Sequence, residues 1–433
     1  MPPSPRHFSA ATTAASTLAW LIALCVLAVL FAAAPAAAEV VTRTVERDTV
    51  NVRSPRMPTG TRAKTAVVFD VQTGRTLWAL RPNERRLIAS TTKIMTALVA
   101  IERTRPDELL TATNYPGDPA ESKLGLIPGE RMTAQDLIRA LMLVSANDAA
   151  DTLAARTATS RAAFVHAMND KARELGLRGT RYGNPVGLDM PRTYSTAADL
   201  AKLTQAALKV PRFSSVVGRR KATLRSGAKV RHIVNRNKLV GRYPWVTGVK
   251  TGHTMAAGYL LVSSADKAGA SVVSVVTGEP SEAARDADSV KLLRFGRAFY
   301  KPVAPLKKSR AVYKLPVELQ DITAPVYPAR DVRFAVRNGE RIAVALRSER
   351  ELKGPLAAGT RVGTATVTRG GKQVADVPVV LREAVPEAPI SAVLMDLLGK
   401  LLPWLLAGAI LVSLLVYLLR RRRPEARRPG YVA

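Results

Sequence analysis

The sequence predicts an α+β unit over residues 63–300, built as an antiparallel sheet with a helical subdomain. A small all-β domain at 309–385 and a C-terminal transmembrane helix at 401–419 follow it. Three observations carry this prediction. Strand patterns stand at both ends of the first region around a helical middle, which is how an antiparallel sheet packs against a segregated helical layer. Short alternating runs broken by turn residues fill the second region. The third is one unbroken apolar stretch.

In chain order, residues 1–38 read as a signal peptide. Arg6 and His7 precede the apolar run Leu18 to Ala33, and Ala36-Ala37-Ala38-Glu39 offers a cut after Ala38, with an uncleaved signal anchor as the alternative. Cys25 is the only cysteine and lies inside that run, after the bulky Leu24, so neither lipidation nor a disulfide nor a cysteine metal site is expected of the mature chain. Residues 39–62, with Pro55, Pro58, Gly60 and several charges, read as a linker. Thr65 to Asp70, turning at Gln72-Thr73-Gly74 into Thr76 to Leu80, reads as a hairpin. Helical spacing dominates from about 90 to 210. Strands return at Gly258–Ser264 and Ser271–Val276, and a helix near Asp288–Phe299 closes the unit.

Beyond Pro302 the texture changes. Ala311–Leu315, Val332–Val336, Arg341–Leu346 and Thr364–Val367 alternate as strands, with Asn338-Gly339 and Gly370-Gly371 as turns. No catalytic constellation stands there, so a spacer is the modest reading. Leu401 to Leu419 has only Ser413 polar, about the length that spans a bilayer, and Pro403 is expected in its first turn. Arg420 to Arg423, with Arg427 and Arg428, make residues 420–433 a basic tail. Positive-inside bias places that tail in the cytoplasm and the body outside the cell membrane, on the periplasmic or wall side.

The net charge is +31, most of it on the body. Arg219, Arg220, Lys221, Arg225, Lys229, Arg231, Arg236 and Lys238 concentrate it. Such an excess is common in nucleic-acid binders, but an exported chain points away from nucleic acid and toward anionic lipids or acidic wall polymers. A solvated basic face with no dedicated partner is the plainer alternative. His7, His166 and His232 have no ligand spacing, so no metal and no cofactor are expected.

The chemistry sits in three short motifs. Ser90-Thr91-Thr92-Lys93 places a hydroxyl and an amine three residues apart at the start of a helix whose stripe is Ile94, Met95, Leu98 and Ile101, so that an amine can serve as the serine's base. The same spacing at Ser226–Lys229 and Ser264–Lys267 lacks that context. Ser145-Ala146-Asn147 follows the run Leu137, Leu141 and Leu143, and Lys250-Thr251-Gly252 precedes the strand Gly258–Ser263. Helix capping by Ser90, or by the Ser145 segment before Asp148, is the bland rival.

In this order the trio resembles the penicillin-recognising serine enzymes, whose signatures are S-x-x-K, S-D-N and K-T-G. With Lys250-Thr251-Gly252-His253-Thr254, Leu126-Ile127-Pro128-Gly129-Glu130 and Gly187-Leu188-Asp189, the chain is most similar to the low-molecular-weight D-alanyl-D-alanine carboxypeptidases. Two departures stand out. That family usually writes Ser-Gly-Asn where this chain has Ala146, and usually ends in an amphipathic surface helix rather than a span.

The resemblance implies a β-lactamase/DD-peptidase-like fold, peptidoglycan stem peptides as substrate and β-lactams as covalent inhibitors. It makes Ser90 the nucleophile and Lys93 its base, a role open to a lysine only if burial or a neighbouring positive charge lowers its pKa, and Lys250 could supply that charge. Ser145 would relay the proton to the leaving amine and Asn147 would orient Lys93 and the substrate. Lys250 and Thr251 would take the terminal carboxylate, Gly252 would leave room for substrate, and the N–H groups of Ser90 and His253 would form the oxyanion hole. Arg285 falls where the family has a carboxylate-binding arginine; a surface charge beside Asp288 is its rival. Three alternatives stand beside this reading. One is a D,D-endopeptidase. Another is a β-lactamase, for which Glu174-Leu175-Gly176-Leu177 is the nearest approach to a deacylating glutamate. The third is a non-catalytic wall-binding scaffold.

Overall fold

The computed structural model describes residues 39–421; the expected signal peptide at 1–38, and the expected tail from 422 on, lie outside the described residues. The chain divides into two units. The larger comprises Thr49–Ala304 and Arg333–Arg341. Its hairpin is β2 (Thr65–Asp70) and β3 (Thr76–Leu80). The helical layer contains α1 (Lys93–Glu102), α2 (Ala134–Leu143), α3 (Asn147–Arg156), α4 (Arg161–Glu174), α5 (Ala197–Leu208) and α6 (Pro211–Val217). Two ribbons flank it, β4 (Leu109–Thr111) with β5 (Arg131–Thr133), and β6 (Lys221–Leu224) with β7 (Arg231–Val234). Then come β8 (Val246–Thr254), β9 (Gly258–Lys267), β10 (Ala270–Glu279) and α7 (Glu282–Ala298).

The sheet runs β3-β2-β10-β9-β8, antiparallel throughout, so the expected α+β architecture holds. Period-two alternation decides which face each side chain joins. Val67, Phe69, Val262, Val273 and Val275 pack with the helical layer, while Val68, Leu261, Val272 and Val276 pack with Leu292, Leu293 and Phe295 of α7. Both faces are covered, so β2 reads as a continuous apolar run. Side-chain oxygens of Thr133, Ser160, Thr196 and Ser281 cap α2, α4, α5 and α7. The Ser281 cap starts α7 six residues before the expected Asp288.

α1 differs from a surface helix. Every residue from Lys93 to Ala100 is buried, so the helix is enclosed on all sides rather than along one stripe. The all-round apolar sequence Ile94-Met95-Thr96-Ala97-Leu98-Val99-Ala100 is the cause, and it carries Lys93 into the interior with it.

Three further features differ from the expectations. Residues 40–49 of the expected linker form β1 (Val40–Thr49), the edge strand beside β15 (Arg341–Glu349) in the smaller unit's sheet. Val41, Arg43 and Val45 are half-buried while their neighbours are exposed, an alternation that the interspersed charges concealed. That sheet runs β1-β15-β16-β17-β13-β12, with β12 (Tyr313–Pro316), β13 (Thr323–Pro328), β16 (Arg361–Arg369) and β17 (Lys372–Leu381). The expected strand at Val332–Val336 is β14 (Val332–Arg337), paired with β11 (Tyr300–Leu306). Its residues 333–337 belong to the larger unit, where Ala335 joins the apolar cluster under α7 and Arg337 Nη1 stands 3.0 Å from the buried Asp70 carboxylate. Finally, the C-terminal helix α8 (Ile390–Arg421) begins eleven residues before the expected 401, which puts Pro403 inside the helix instead of in its first turn. Its stretch Ile390–Leu418 is long and apolar enough to cross a membrane.

Candidate active site

Ser90 lies on a single 3-10 turn, Ala89–Thr92, that feeds directly into α1. Ala89 enters this turn at φ 43°, and Ser145 has φ 63°. Left-handed backbone in residues bearing a Cβ costs about 1–3 kcal/mol each and is held only where surrounding packing overdetermines it. Neither serine is a cap. The N-cap of the 3-10 turn is Ile88, α1 is preceded by Thr92, and α3 starts at Asn147 after Ala146, none with a side-chain cap bond.

The geometry around Lys93 is the centre of the site. Its Nζ is 3.0 Å from Ser90 Oγ and 2.5 Å from Asn147 Oδ1, and it also donates to the carbonyl of Val186. Two of these partners are carbonyl oxygens and can only accept. A neutral amine has two N–H groups, so those carbonyls consume both, and the remaining lone-pair direction faces the Ser90 hydroxyl. Burial lowers the Lys93 pKa from 10.5 to about 7; Glu121 and Asp148 pull it upward and Arg236 pushes it down. The base is therefore available near neutral pH, and desolvation is the main cause.

Of the two expected causes, burial and a positive charge from Lys250, burial is the larger for Lys93. The cation that weighs on Lys93 is instead Arg236, while Lys93 is itself among the charges acting on Lys250. Lys250 is 1% exposed, and its pKa is held well below the usual value by burial first, then by Lys93, Arg236 and Arg285. Its Nζ donates to the Thr251 carbonyl at 2.8 Å.

Lys250, Thr251, Gly252 and His253 all lie on β8, the outermost strand of the sheet. Gly252 also has a packing task. A Cβ there would stand 3.2 Å from the Ile88 carbonyl and from Thr91 Cγ2, so its bare backbone seats β8 against the turn that carries Ser90. His253 is exposed and stacks on Tyr259 at 4.0 Å between centroids, a structural role for its ring.

Arg285, expected to bind a carboxylate, with a surface charge beside Asp288 as the rival reading, is buried and does not pair with Asp288. Its side chain is 5% exposed; Nε donates to Asp286, and Nη2 donates to Asp286 and Glu282. Asp288 is held by Lys291 and the Arg62 N–H instead. Arg285 reaches the site as a charge felt by Lys250. The basic segment 219–238 is also less uniform than it looked. Arg231 is buried against Glu130, and Lys238 pairs with Glu282. Arg236 donates to Ser122 Oγ beside the site. Glu174, the nearest approach to a deacylating glutamate, pairs with Lys171 at the exposed end of α4. Among the described residues no three His, Cys, Asp or Glu side chains group as metal ligands.

Several site residues carry no sequence signal of their own: Val186, Glu121, Tyr115 and Arg236. Val186 is placed by a turn in which Asn184 Oδ1 accepts from the N–H groups of Val186, Gly187 and Leu188. Gly187, at φ +87°, passes so near the nucleophile turn that a Cβ would stand 2.1 Å from the Ala89 carbonyl oxygen. Only glycine fits there.

The D-alanyl-D-alanine carboxypeptidase family profile matches residues 51–281, and that of the penicillin-binding protein 5 C-terminal domain matches residues 300–387. The chain is 30% identical to D-alanyl-D-alanine carboxypeptidase DacF of Bacillus subtilis, over 78% of this chain and 89% of the relative. It is 32% identical to DacA of Escherichia coli, over 77% and 86%. Among solved structures, penicillin binding protein 5 of Haemophilus influenzae superposes with a TM-score of 0.53 at 28% identity, covering 77% of this chain and all of that one.

Proposed function

The chain belongs to the D-alanyl-D-alanine carboxypeptidase family of serine penicillin-binding DD-peptidases, and on that premise we propose how its residues share the reaction. Ser90 Oγ attacks the carbonyl between two terminal D-alanines of a peptidoglycan stem peptide while its proton passes to the Lys93 lone pair. The C–N bond then breaks, and Ser145 relays a proton to the departing D-alanine amine. Water attacks the ester at Ser90 to release the shortened peptide. The N–H groups of Ser90 and His253 hold the oxyanion, and β-lactams stop at the ester.

Lys250 and Thr251 take the terminal carboxylate, with substrate lying along the free edge of β8. An incoming carboxylate opposes the forces that hold Lys250 toward neutrality, so substrate binding favours a charged Lys250. Arg285, engaged by Asp286 and Glu282, supports that charge through space rather than as the ligand.

The single observation carrying this reading is the three-way hold on Lys93 Nζ by Ser90, Asn147 and Val186. The test uses the full chain in detergent with a peptide ending in D-Ala-D-Ala. Free D-alanine appears, its rate rises with pH about a midpoint near 7, and benzylpenicillin leaves a stable adduct on the peptide containing Ser90. Rapid hydrolysis of the penicillin would move the assignment to a β-lactamase. Cleavage confined to cross-linked peptides would make the chain an endopeptidase, and no adduct at all would leave a scaffold.

We also infer that α8 anchors the chain in the cell membrane with the catalytic unit on the extracytoplasmic side, its basic surface drawn to anionic lipids or acidic wall polymers. After alkaline carbonate washing, the chain is expected to stay with the membrane pellet; recovery in the supernatant would rule out a span.

A further inference from the structure

Asn147 has to present its oxygen, not its nitrogen, to Lys93. An amide can turn over, and nothing in the Lys93 contact alone fixes which end faces the amine. The other end of the amide supplies the answer. Asn147 Nδ2 lies 2.5 Å from Glu121 Oε2, and a carboxylate only accepts, so the nitrogen must face Glu121 and the oxygen must face Lys93. The same carboxylate accepts from the Tyr115 hydroxyl, while its other oxygen accepts from the Asp118 N–H at 3.1 Å. The backbone ties the two segments together as well, since the Asn147 N–H donates to the Ser122 carbonyl at 2.7 Å.

We propose that Glu121, held by Tyr115, is a positioning residue of this site: it orients the Asn147 amide and, through that amide, the Lys93 amine toward Ser90. The proposal rests on the reading of Lys93 as the base of Ser90. The bonds of Glu121 go to Tyr115, Asp118 and Asn147 and to neither Ser90 nor Ser145, so it acts through Asn147.

Its charge has a second consequence. Burial opposes ionisation of Glu121, but the Tyr115 hydroxyl, the Asn147 amide, the Asp118 N–H and Lys123 outweigh it and keep the carboxyl below its ordinary value. Glu121 is therefore an anion wherever the enzyme works. Lys93 is faced by Glu121 and Asp148 as anions, by Arg236 as a cation and by the Lys250 amine, which burial holds toward neutrality; Glu121 precedes Asp148 as the charge that raises its proton affinity. Removing the Glu121 charge lets Lys93 lose its proton at lower pH. Only the neutral amine accepts the Ser90 proton, so the acidic limb of the rate profile moves down with it.

Two variants separate the effects. Glu121→Gln keeps an oxygen that accepts from Asn147 and removes the charge; Glu121→Ala removes both. The measured quantity is the second-order rate constant for benzylpenicillin acylation of the full chain in detergent across pH 5 to 10. Glu121→Gln is expected to hold its alkaline plateau within about threefold of the parent, with its acidic limb displaced to lower pH. Glu121→Ala is expected to lose about 10²-fold on the plateau, the scale of a misplaced catalytic group. A Glu121→Gln limb that superimposes on the parent's overturns the proposal, as does a Glu121→Ala plateau equal to the parent's. Because Glu121→Gln is isosteric, its limb remains decisive even where the alanine variant folds poorly. Failure of the parent to acylate at Ser90 is a different result and overturns the base assignment itself.

Discussion

Lys93→Met, with Ser90 intact, is expected to slow covalent addition of benzylpenicillin about 10²- to 10⁴-fold, and Ser90→Ala to abolish the adduct outright. The first figure is the usual worth of a positioned general base. The second follows because no other nucleophile can form that ester. The pair separates the roles: D-alanine release and adduct vanish together in Ser90→Ala, whereas Lys93→Met still labels slowly. Equal labelling by parent and Lys93→Met would remove the lysine from the mechanism.

The same substitution tests what burial of Lys93 does to the fold. Its folded pKa of about 7 lies below the ordinary 10.5, so the unfolded chain binds the proton more tightly. Stability attributable to this group therefore falls as pH drops from above 10 to about 7, and levels off below. Methionine is similar in length and cannot be charged. Lys93→Met is thus expected to gain stability relative to the parent as pH falls through that window, even though the Asn147 and Val186 carbonyls lose a donor. Parallel unfolding curves at pH 10 and pH 7 would show that the amine is not desolvated. A catalytic base kept neutral by the core sets activity against stability at one atom.

Some of this was legible in the residues and some was not. The Ser90–Lys93 spacing and the apolar run after it pointed to a nucleophile beside its base. The same run, apolar on every side, is what buries the lysine. The Lys250 motif was visible, yet the strand it occupies was not, because Val246-Thr247-Gly248-Val249 is short and broken by glycine. Glu121, Tyr115 and Val186 were invisible for another reason. They enter from loops, and the Lys93–Val186 contact joins positions 93 residues apart, so no local period marks it. The ion pairs of Arg285 with Glu282 and Asp286 carry no sequence signal, since they depend on which turn of α7 faces inward. β1 escaped because a strand with alternating charge finds its identity only when a sheet edge accepts it.

Glu130→Ala is expected to destabilise the larger unit by about 3–5 kcal/mol, the cost of leaving a buried charge without its partner. Glu130 and Arg231 are buried with side chains 3% and 6% exposed, and they meet through two contacts, Nη2 to Oε1 at 2.7 Å and Nη1 to Oε2 at 3.2 Å. Glu130 also accepts the N–H groups of Ile127 and Ala228, and Arg231 donates to the Gly125 carbonyl. One ion pair thus closes the segment from Glu121 to Glu130 onto β7, and that segment delivers Glu121 and Ser122 to the site. For a unit of this size the loss corresponds to a fall in Tm of about 10 °C. Burial opposes the charge of Glu130, but its hydrogen bonds and Arg231 prevail and keep its pKa below the ordinary value. The pair's stabilisation is consequently complete above the unfolded carboxyl's value near 4.5 and is lost as pH falls through the lower folded value. Thermal unfolding of Glu130→Ala, Arg231→Met and the double variant Glu130→Leu/Arg231→Met gives the decisive comparison. The double variant is expected to melt above both single ones, because it strands no charge. A double variant that melts at the sum of the two losses would show that the residues do not act as a pair. The Glu121 segment would then be held by its backbone bonds alone.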